Sequence, residues 1–387
     1  MKKLITVINI ILLCSRINAQ VFTGTVYDKA TNQPLPDVYV SFNGTTAYAI
    51  TDNSGKFELT LAQRLNTQLV FSHIAYNMVI IENPFDEFPE EIYMEQRLNM
   101  LDNVIISEKV SPEYADPLTR AQKLRAFKEQ FLGTTRAGKS CFIMNENDIE
   151  LRFNVQTNTL YASSENPIVV VNEYLGYMVS YTLIDFRIEY AMQRSIVDPI
   201  KSPSDRIKDN DPRRTLDRIN NQYFGTSTEP PEQKTFALSR SYHIQRSYFT
   251  VISLYTDLNP DDMRIKRRRD EIYEQSSTFF FKNIANNTLE ESNFRIYENR
   301  RRQLDQSLYF TIEENDTLPL KKIQFIPDLG SVVNVMYGRN RASGIQFLTD
   351  TLLVDRYGNI DQFDKALFSG VMGQARAGDM LPIDYEP

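Results

Sequence analysis

Alternating apolar and polar residues near the start of the chain predict a small β-structure. Three runs alternate with a period of two, namely Val21–Tyr27, Val38–Phe42 and Lys56–Leu59. Such alternation is typical of half-buried strands. The Thr51–Gly55 connection is short and polar, and glycine readily adopts the positive φ that a tight turn needs. These residues therefore predict two hairpins, the beginning of a β-sandwich.

Further strand-length apolar runs continue to about residue 108. They are Gln68–Ile74, Met78–Ile81, Glu91–Met94 and Leu101–Ser107. Together with the first three runs they give about seven strands over about ninety residues, enough for a closed sandwich. We therefore predict a seven-stranded Greek-key sandwich over residues 20–108.

The pattern changes after Ser111. Prolines and polar residues indicate a linker, and Leu118–Leu132 then places apolar residues at helical spacing, with Gly133 as a stop signal. Residues 109–133 are therefore predicted to form a linker and a helix. We expect this helix to pack on the domain that follows.

Residues 134–387 predict a larger β-rich α+β domain. Strands are expected at Leu151–Val155, Leu160–Ala162, Ile168–Asn172, Tyr177–Phe186, Ser277–Phe281, Phe294–Tyr297, Ser307–Ile312, Ser331–Tyr337 and Gly344–Leu348, with a turn at Tyr357–Ile360. A helix is expected over Ser239–Ser253, and Asp261–Gln275 fits either type of element. The proline-rich segment 193–232 predicts a polar insertion with a helical candidate at Thr215–Tyr223.

The first residues predict export. Met1–Lys3 is basic, Leu4–Leu13 is apolar but too short to span a bilayer, and Ala19 is a small residue suited to cleavage. Residues 1–19 are therefore predicted to be a signal peptide. Leu13 disfavours a lipoprotein, because the residue before a lipidated cysteine is small. Removal of the signal leaves Cys141 as a single thiol, so an internal disulfide is excluded and the protein depends on its cores.

Composition and charge narrow the class of partner. The 387 residues are 42% hydrophobic and carry a formal net charge of -7, which disfavours nucleic acid because a phosphate-binding surface needs excess positive charge. Two basic clusters, Arg264–Arg269 and Arg300–Arg302, are each flanked by acids. We interpret both as ion-paired, solvated faces.

Three motifs in the first domain carry a family resemblance. They are G-x-V-x-D at Gly24–Asp28, PL-x-x-V-x-V at Pro34–Val40 and TD-x-x-G-x-F at Thr51–Phe57. This pattern resembles the carboxypeptidase regulatory-like domain. The resemblance implies a transthyretin-like fold and an exported protein of Bacteroidetes. Ser72–Tyr76 matches the S-x-x-G-Y element of that family, with Ala75 in place of glycine.

Two further resemblances concern the rest of the chain. Leu98–Ile106 is similar to the segment that links such a domain to TonB-dependent outer-membrane receptors. The segments Phe131–Thr135, Cys141–Asn145, Asn166–Asn172, Leu175–Phe186 and Ala377–Pro387 resemble the bodies of Bacteroidetes proteins with this domain and no assigned function. These likenesses imply a location in the periplasm or at the outer membrane.

The search for chemistry gives no catalytic, cofactor-binding or metal-binding residue. Only His73 and His243 are present, and neither begins a zinc-binding motif, so both are interpreted as structural, His243 on a helix surface. Cys141 is expected to be a buried, inert thiol. Asp257–Asp261 has the D-x-N-x-D spacing of a calcium loop, but it lacks the required glycine and the final glutamate.

Three hypotheses follow. The first is a non-catalytic envelope protein that requires no cofactor, in which the sandwich docks or stabilises and the larger domain binds a protein or glycan, with peripheral association with the outer membrane. The second is a hydrolase whose carboxylates converge in the larger domain, since such pairs leave no fixed sequence spacing. The third is a subunit associated with a TonB-dependent receptor, pairing through exposed edge strands.

Overall fold

The protein is mainly β, with three separate hydrophobic cores. A computed structural model describes residues 20–97, 116–192, 242–298, 301–303, 306–314, 320–361 and 363–387. One core fills the N-terminal sandwich, one lies between a helix and a six-stranded sheet, and one lies near the C-terminus. The predicted domain over residues 134–387 thus supplies most of two cores and contributes Tyr357 to the sandwich core, and its boundaries stay a prediction.

The N-terminal sandwich has seven strands in two sheets. They are β1 (Gln20–Asp28), β2 (Tyr39–Phe42), β3 (Tyr48–Ile50), β4 (Lys56–Leu61), β5 (Leu69–Ser72), β6 (Val79–Ile81) and β7 (Glu91–Met94). One sheet has the order β4-β1-β7 and the other β3-β2-β5-β6. The inner faces enclose Phe42, Phe71 and their apolar neighbours. The alternation therefore predicted this fold correctly.

The observed strands of the sandwich include one, β3, that the sequence did not predict. β3 did not stand out as an apolar run, because it has three residues and lies in a polar turn region. The predicted strand Leu101–Ser107 lies outside the described residues, as do the predicted linker before residue 116 and the signal peptide. The observed seven strands thus end at Met94.

The central unit packs helix α1 (Arg120–Phe131) against one face of the six-stranded sheet. Its other elements are α2 (Arg136–Lys139), β8 (Cys141–Ile143), β9 (Ile149–Asn154), β10 (Thr159–Ser164), β11 (Ile168–Asn172), β12 (Tyr177–Met192) and β13 (Tyr242–Asp257). The sheet order is β8-β11-β12-β10-β9, with β13 also paired to β12. Thr119 and Gln122 form a capping box that begins α1. Phe127 and Phe131 are fully buried beneath the sheet.

The helix predicted over Ser239–Ser253 is wrong, because its described part, from Tyr242 onward, belongs to strand β13. Tyr242, Arg246 and Phe249 have helical spacing, but the chain pairs with β12 from Met192–Tyr242 to Tyr177–Asp257. Long-range pairing and β-branched residues such as Val251 outweigh the local spacing. The insertion 193–232 and its helical candidate lie outside the described residues.

The C-terminal unit contains helices α3 (Met263–Tyr273), α4 (Ser277–Ala285) and α5 (Gly370–Gln374). Its strands are β14 (Phe294–Glu298), β15 (Arg301–Gln303), β16 (Phe310–Glu314), β17 (Lys321–Phe325), β18 (Val332–Tyr337), β19 (Arg341–Phe347), β20 (Thr351–Val354) and β21 (Ala366–Ser369). They form sheets of order β15-β14-β18-β19-β21 and β16-β17-β20. The turn predicted at Tyr357–Ile360 lies between β20 and β21.

The strand predicted at Ser277–Phe281 is wrong, because these residues begin α4. The Ser276 hydroxyl accepts a hydrogen bond from the Phe279 amide and caps the helix. Phe280, Phe281 and Ile284 then lie in the core at helical spacing. The ambiguous segment 261–275 is also a helix, α3, because Asp262 caps its first turn.

The segment Ala377–Pro387 contacts all three units. The Gly378 amide donates to the Leu132 carbonyl at 3.1 Å in the central unit, and the Ile383 amide donates to Gly44 at 2.8 Å in the sandwich. The Tyr385 hydroxyl donates to Asp270 of α3 at 2.6 Å. We call this segment the C-terminal strap, and it holds the three cores in one arrangement.

Candidate functional site

The motif residues of the sandwich are bonded to their own turns. Asp28 accepts hydrogen bonds from the Ala30 and Thr31 amides and from the Tyr76 hydroxyl, which lies 2.7 Å away. The Tyr76 bond is the main reason that the pKa of Asp28 lies below its usual range. Asp52 likewise accepts from the Ser54 and Lys56 amides. These acids therefore organise turns and leave little capacity for a ligand.

Thr51 and Gly55 explain the remaining motif positions. The Thr51 hydroxyl accepts from the Val38 amide at 2.9 Å and donates to the Leu35 carbonyl at 2.8 Å. Gly55 has φ +72°, and a Cβ there would lie 2.5 Å from the Val26 carbonyl oxygen. The motif is thus required by backbone geometry rather than by chemistry.

The two histidines lie in separate places. His73 follows β5, accepts a hydrogen bond from the Ala75 amide at 3.1 Å and packs edge-on against Tyr76, in agreement with a structural role. His243 is exposed on strand β13, so the prediction of a helix-surface histidine is wrong about the element. The described residues include no group of three or more His, Cys, Asp or Glu placed to hold a metal.

Cys141 is half-buried at the beginning of β8. Its Sγ lies 3.3 Å from the Ala137 carbonyl oxygen, and burial raises the pKa of the thiol to about 12. A thiol with such a pKa is almost entirely protonated at neutral pH and is a poor nucleophile. The environment therefore matches the inert thiol expected from the sequence.

The first acid of the calcium-like segment, Asp257, is paired with an arginine of the basic cluster. Both carboxylate oxygens of Asp257 accept from the Arg269 guanidinium at 2.7 Å. Burial opposes ionisation of Asp257, but the bonds from Arg269 outweigh it, so the pKa lies below the usual value. Arg269 is buried and lies 3.9 Å from the centre of the Tyr177 ring. The interpretation of this cluster as a solvated face is thus wrong for Arg269.

Three acids, one buried and two partly buried, have pKa values raised by burial, and each is held by the chain itself. Asp355 accepts from the amides of residues 357–359, Asp379 accepts from the Thr135 hydroxyl at 2.6 Å, and Asp384 accepts from Thr46. Asp355 stabilises a turn, and the other two attach the C-terminal strap. Their bonds assign them structural roles, whereas the acid of a hydrolase must face a substrate.

The outer face of the central sheet carries a row of alternating cations and aromatic rings. Across strands β9, β10, β12 and β13, the directly opposite residues are Arg152, Tyr161, Arg187 and Tyr248. We call these four residues the Arg/Tyr row. Tyr161 is 41% and Tyr248 is 37% exposed. Since adjacent strands lie about 4.8 Å apart, the row extends about 14 Å across the sheet.

One cation-π contact supports the row, and neighbouring acids balance its two positive charges. The Arg187 guanidinium lies 4.7 Å from the centre of the Tyr248 ring, a cation-π contact that holds both side chains against the sheet. Glu150 forms an ion pair with Arg152 at 2.8 Å, and Asp185 lies 4.0 Å from Arg187. The surface therefore presents aromatic faces flanked by guanidinium donors and carboxylate acceptors.

A shallow depression adjoins the row at its β9–β10 end. Its volume is about 440 Å³, and its lining is Arg152, Phe153, Asn154, Val155, Gln156 and Tyr161. Two row residues thus form one wall. The depression is open to solvent, whereas sites for small molecules usually enclose most of the ligand surface. An extended ligand that lies across the strands suits this shape better.

The sequence did not reveal the row. Its members are separated by up to ninety-six positions (248 − 152) and become neighbours only through the strand register. Tyr248 was placed on a helix, which would have turned it away from Arg187. The only available signal was that Arg152, Tyr161 and Arg187 occupy solvent-facing positions in strands with alternating apolar and polar residues.

The comparisons with known proteins concern the sandwich. A family model described as CarboxypepD_reg-like domain matches residues 22–106. No curated protein and no solved structure matches the chain. In the described part of the chain, no helix has the length and apolarity needed to cross a bilayer. Residues 22–106, which include the motif-bearing sandwich, are a CarboxypepD_reg-like domain.

Proposed function

We propose that this protein is a non-catalytic, exported envelope protein whose central sheet binds a glycan through the Arg/Tyr row. The observation that carries the proposal is the row itself, four residues in cross-strand register with two exposed phenol rings. The signal-like residues 1–19 support export. The sandwich serves as the docking or stabilising module, since its motif residues are bonded internally.

The chemistry of the row suits a sugar chain. A phenol ring offers a flat, apolar face that packs on the C–H face of a pyranose, and its hydroxyl is a polar group at the edge of that face. Arg152 and Arg187 have donors in a fixed planar fork, which matches pairs of neighbouring hydroxyl oxygens. Glu150 and Asp185 accept from hydroxyl groups. A polar, elongated ligand would thus meet complementary groups on four adjacent strands.

The open shape favours binding over hydrolysis. A glycosidase needs an acid with raised pKa beside a second carboxylate, both facing the substrate. In the described structure, the acids with pKa raised by burial are Asp355, Asp379 and Asp384, which are bonded within turns or to the strap. None belongs to the row or to the lining of the depression.

Glycan-array binding tests the proposal. We expect the protein from Gln20 onward to bind a subset of immobilised bacterial oligosaccharides, and the double variant Tyr161→Ala/Tyr248→Ala to bind them at least about tenfold more weakly, since each aromatic contact contributes about 0.5–1.5 kcal/mol. The matched control is Tyr93→Ala, which removes an equally exposed tyrosine of the sandwich that stacks on Tyr27.

Two results would contradict this function. Equal glycan affinity of the row variant and the wild type would show that the row does not contribute to binding. Release of sugar fragments during incubation with a bound glycan would favour the hydrolase hypothesis. The row variant is expected to unfold within about 1 kcal/mol of the wild type, because exposed cross-strand pairs contribute little stability.

A further inference from the structure

The outer edge of strand β13 has main-chain groups that face away from the sheet. At the inner end, the loop Asn43–Thr45 of the sandwich bonds to this edge: the Gly44 amide donates to the Ser253 carbonyl at 2.7 Å, and the Tyr255 amide donates to Thr45 at 3.0 Å. The odd-numbered residues of this part of β13 therefore direct their N–H and C=O groups away from β12.

The same alternation continues outward along β13. The main-chain N–H and C=O groups of the even-numbered Tyr248 and Thr250 point toward β12. The Tyr190 amide of β12 points the other way, toward Asn158 on the opposite side. Ser247, Phe249 and Val251 thus present amides and carbonyls at the open edge. Outside the β12–β13 pairing, none of the residues that the structure describes forms a backbone hydrogen bond with these three.

The open edge lacks the usual devices that prevent strand pairing. Proteins commonly protect an edge with charged residues, proline or a bulge. Between Arg246 and Asp257 the sequence is SYFTVISLYT, which has no charge and no proline. The β12–β13 pairing has two register irregularities, one near Gln245 at the far end and one opposite Thr250 and Val251, where Ile184 of β12 is the extra residue. From Arg246 to Ile252, β13 itself has no inserted residue. This stretch forms an uninterrupted template for another strand.

The geometry points to an extended peptide segment of another protein as the occupant, added as a strand along Arg246–Ile252. Main-chain hydrogen bonds would supply affinity, and the pleat would present alternate side chains on the two faces. The sandwich loop already pairs with the adjacent residues 253–255, so an added strand would continue an existing interface. This inference concerns the backbone edge and does not depend on the glycan proposal.

A second copy of the chain fits the edge less well. If two β13 strands paired antiparallel about Phe249, residue 245 of one copy would lie opposite Ser253 of the other, and residue 243 opposite Tyr255. Ser253 and Tyr255 already bond to Asn43–Thr45 of the sandwich. A free peptide that ends beside Ile252 meets no such obstacle.

Hydrogen exchange with a defined peptide tests the inference. The probe is a synthetic peptide of sequence Lys-Thr-Val-Thr-Val-Thr-Lys with blocked ends, added at about 1 mM to the full chain from Gln20. We expect exchange of the Ser247, Phe249 and Val251 amides to slow by at least about tenfold, with little change at Tyr248 and Thr250. The same peptide with alternate N-methyl groups is the control, since it cannot pair along the edge.

The protein side is tested with Ser247→Pro, which removes one outward N–H at a position that an edge strand tolerates. This variant is expected to lose the peptide-dependent slowing. Three results would overturn the inference. The first is that the outward amides exchange as slowly as the inward ones in the free protein. The second is that their exchange rates depend on protein concentration. The third is that the unmethylated peptide leaves their exchange rates unchanged. The N-methyl control keeps the test valid if the proline variant misfolds.

Discussion

The N-terminal sandwich and the central sheet use polar side chains in opposite ways. In the sandwich, the conspicuous motif residues Asp28, Thr51 and Asp52 bond to nearby backbone and stabilise turns. In the central sheet, inconspicuous residues such as Arg187 and Tyr248 meet across strands and face solvent. The difference teaches that a recognisable motif can mark a fold, while a binding surface can arise from residues that form no motif.

Five substitutions test this comparison. The largest expected effect is where α3 of the C-terminal unit packs on the central unit, because Arg269 of α3 is buried and bidentate to Asp257 of β13. Arg269→Met removes the cation and leaves its partner carboxylate without compensation, so we expect a loss of about 3–4 kcal/mol in the free energy of unfolding, measured by urea denaturation. Arg264→Met is the control, because that side chain is exposed and its surface ion pair should contribute far less. Similar losses for both would show that Arg269 has no special role.

A loss of about 2–3 kcal/mol is expected for Thr51→Val in the sandwich. The substitution keeps the shape but removes the hydroxyl that bonds the Val38 amide and the Leu35 carbonyl. Two buried backbone groups then lack a partner. Ser54→Ala, which removes an exposed hydroxyl from the neighbouring turn, should cost much less. A neutral Thr51 variant would contradict the structural interpretation of the motif.

Gly55→Ala should destabilise the sandwich by about 2 kcal/mol. The new methyl group would lie 2.5 Å from the Val26 carbonyl oxygen in a left-handed backbone conformation. Gly338→Ala is the matched control, since Gly338 also has positive φ but has no atom within 4 Å of an added Cβ. Both variants have the backbone strain of a positive φ, but only Gly55→Ala adds the steric conflict. The difference between their thermal unfolding temperatures therefore measures the steric conflict. Equal effects would show that contact with Val26 is unimportant.

The smallest expected effect concerns pH and the strap. Burial raises the pKa of Asp384, and its Oδ1 is buried with no hydrogen-bond partner among the described residues. Because the folded state holds this proton more tightly than the unfolded state, stability is lost as pH rises through the folded pKa. Asp384→Asn should remove this loss.

Asp52 provides a comparison of opposite sign. Its pKa is lowered, first by the Lys56 amide, so its contribution to stability is lost as pH falls through the folded pKa. Urea denaturation across the acidic and neutral range should therefore show that Asp52→Asn flattens the acidic side of the profile and Asp384→Asn the side above it. Identical profiles for the two variants would contradict the assignment.

Local pattern predicted the sandwich well, because each strand follows from its own alternation and each turn from its own glycine or aspartate. It failed where distant residues decide the structure. Phe249 and Val251 become strand residues through pairing with β12, whereas Phe280 and Phe281 become helical because Ser276 caps their first turn and the core accepts one helix face. The Arg/Tyr row depends on the register of four strands, which no single segment encodes.

The C-terminal strap has a consequence for how the chain matures. Its residues are synthesised after those of the sandwich, the six-stranded sheet and the α4 core, so each core can collapse while the connecting segment is still missing. We therefore expect the hydrogen bonds to Leu132, Gly44 and Asp270 to form after the cores. The strap would then fix an orientation to which the direct bonds between Asn43–Thr45 and β13 also contribute, and a pulse-labelling experiment should see the Ile383 amide acquire protection after the core amides.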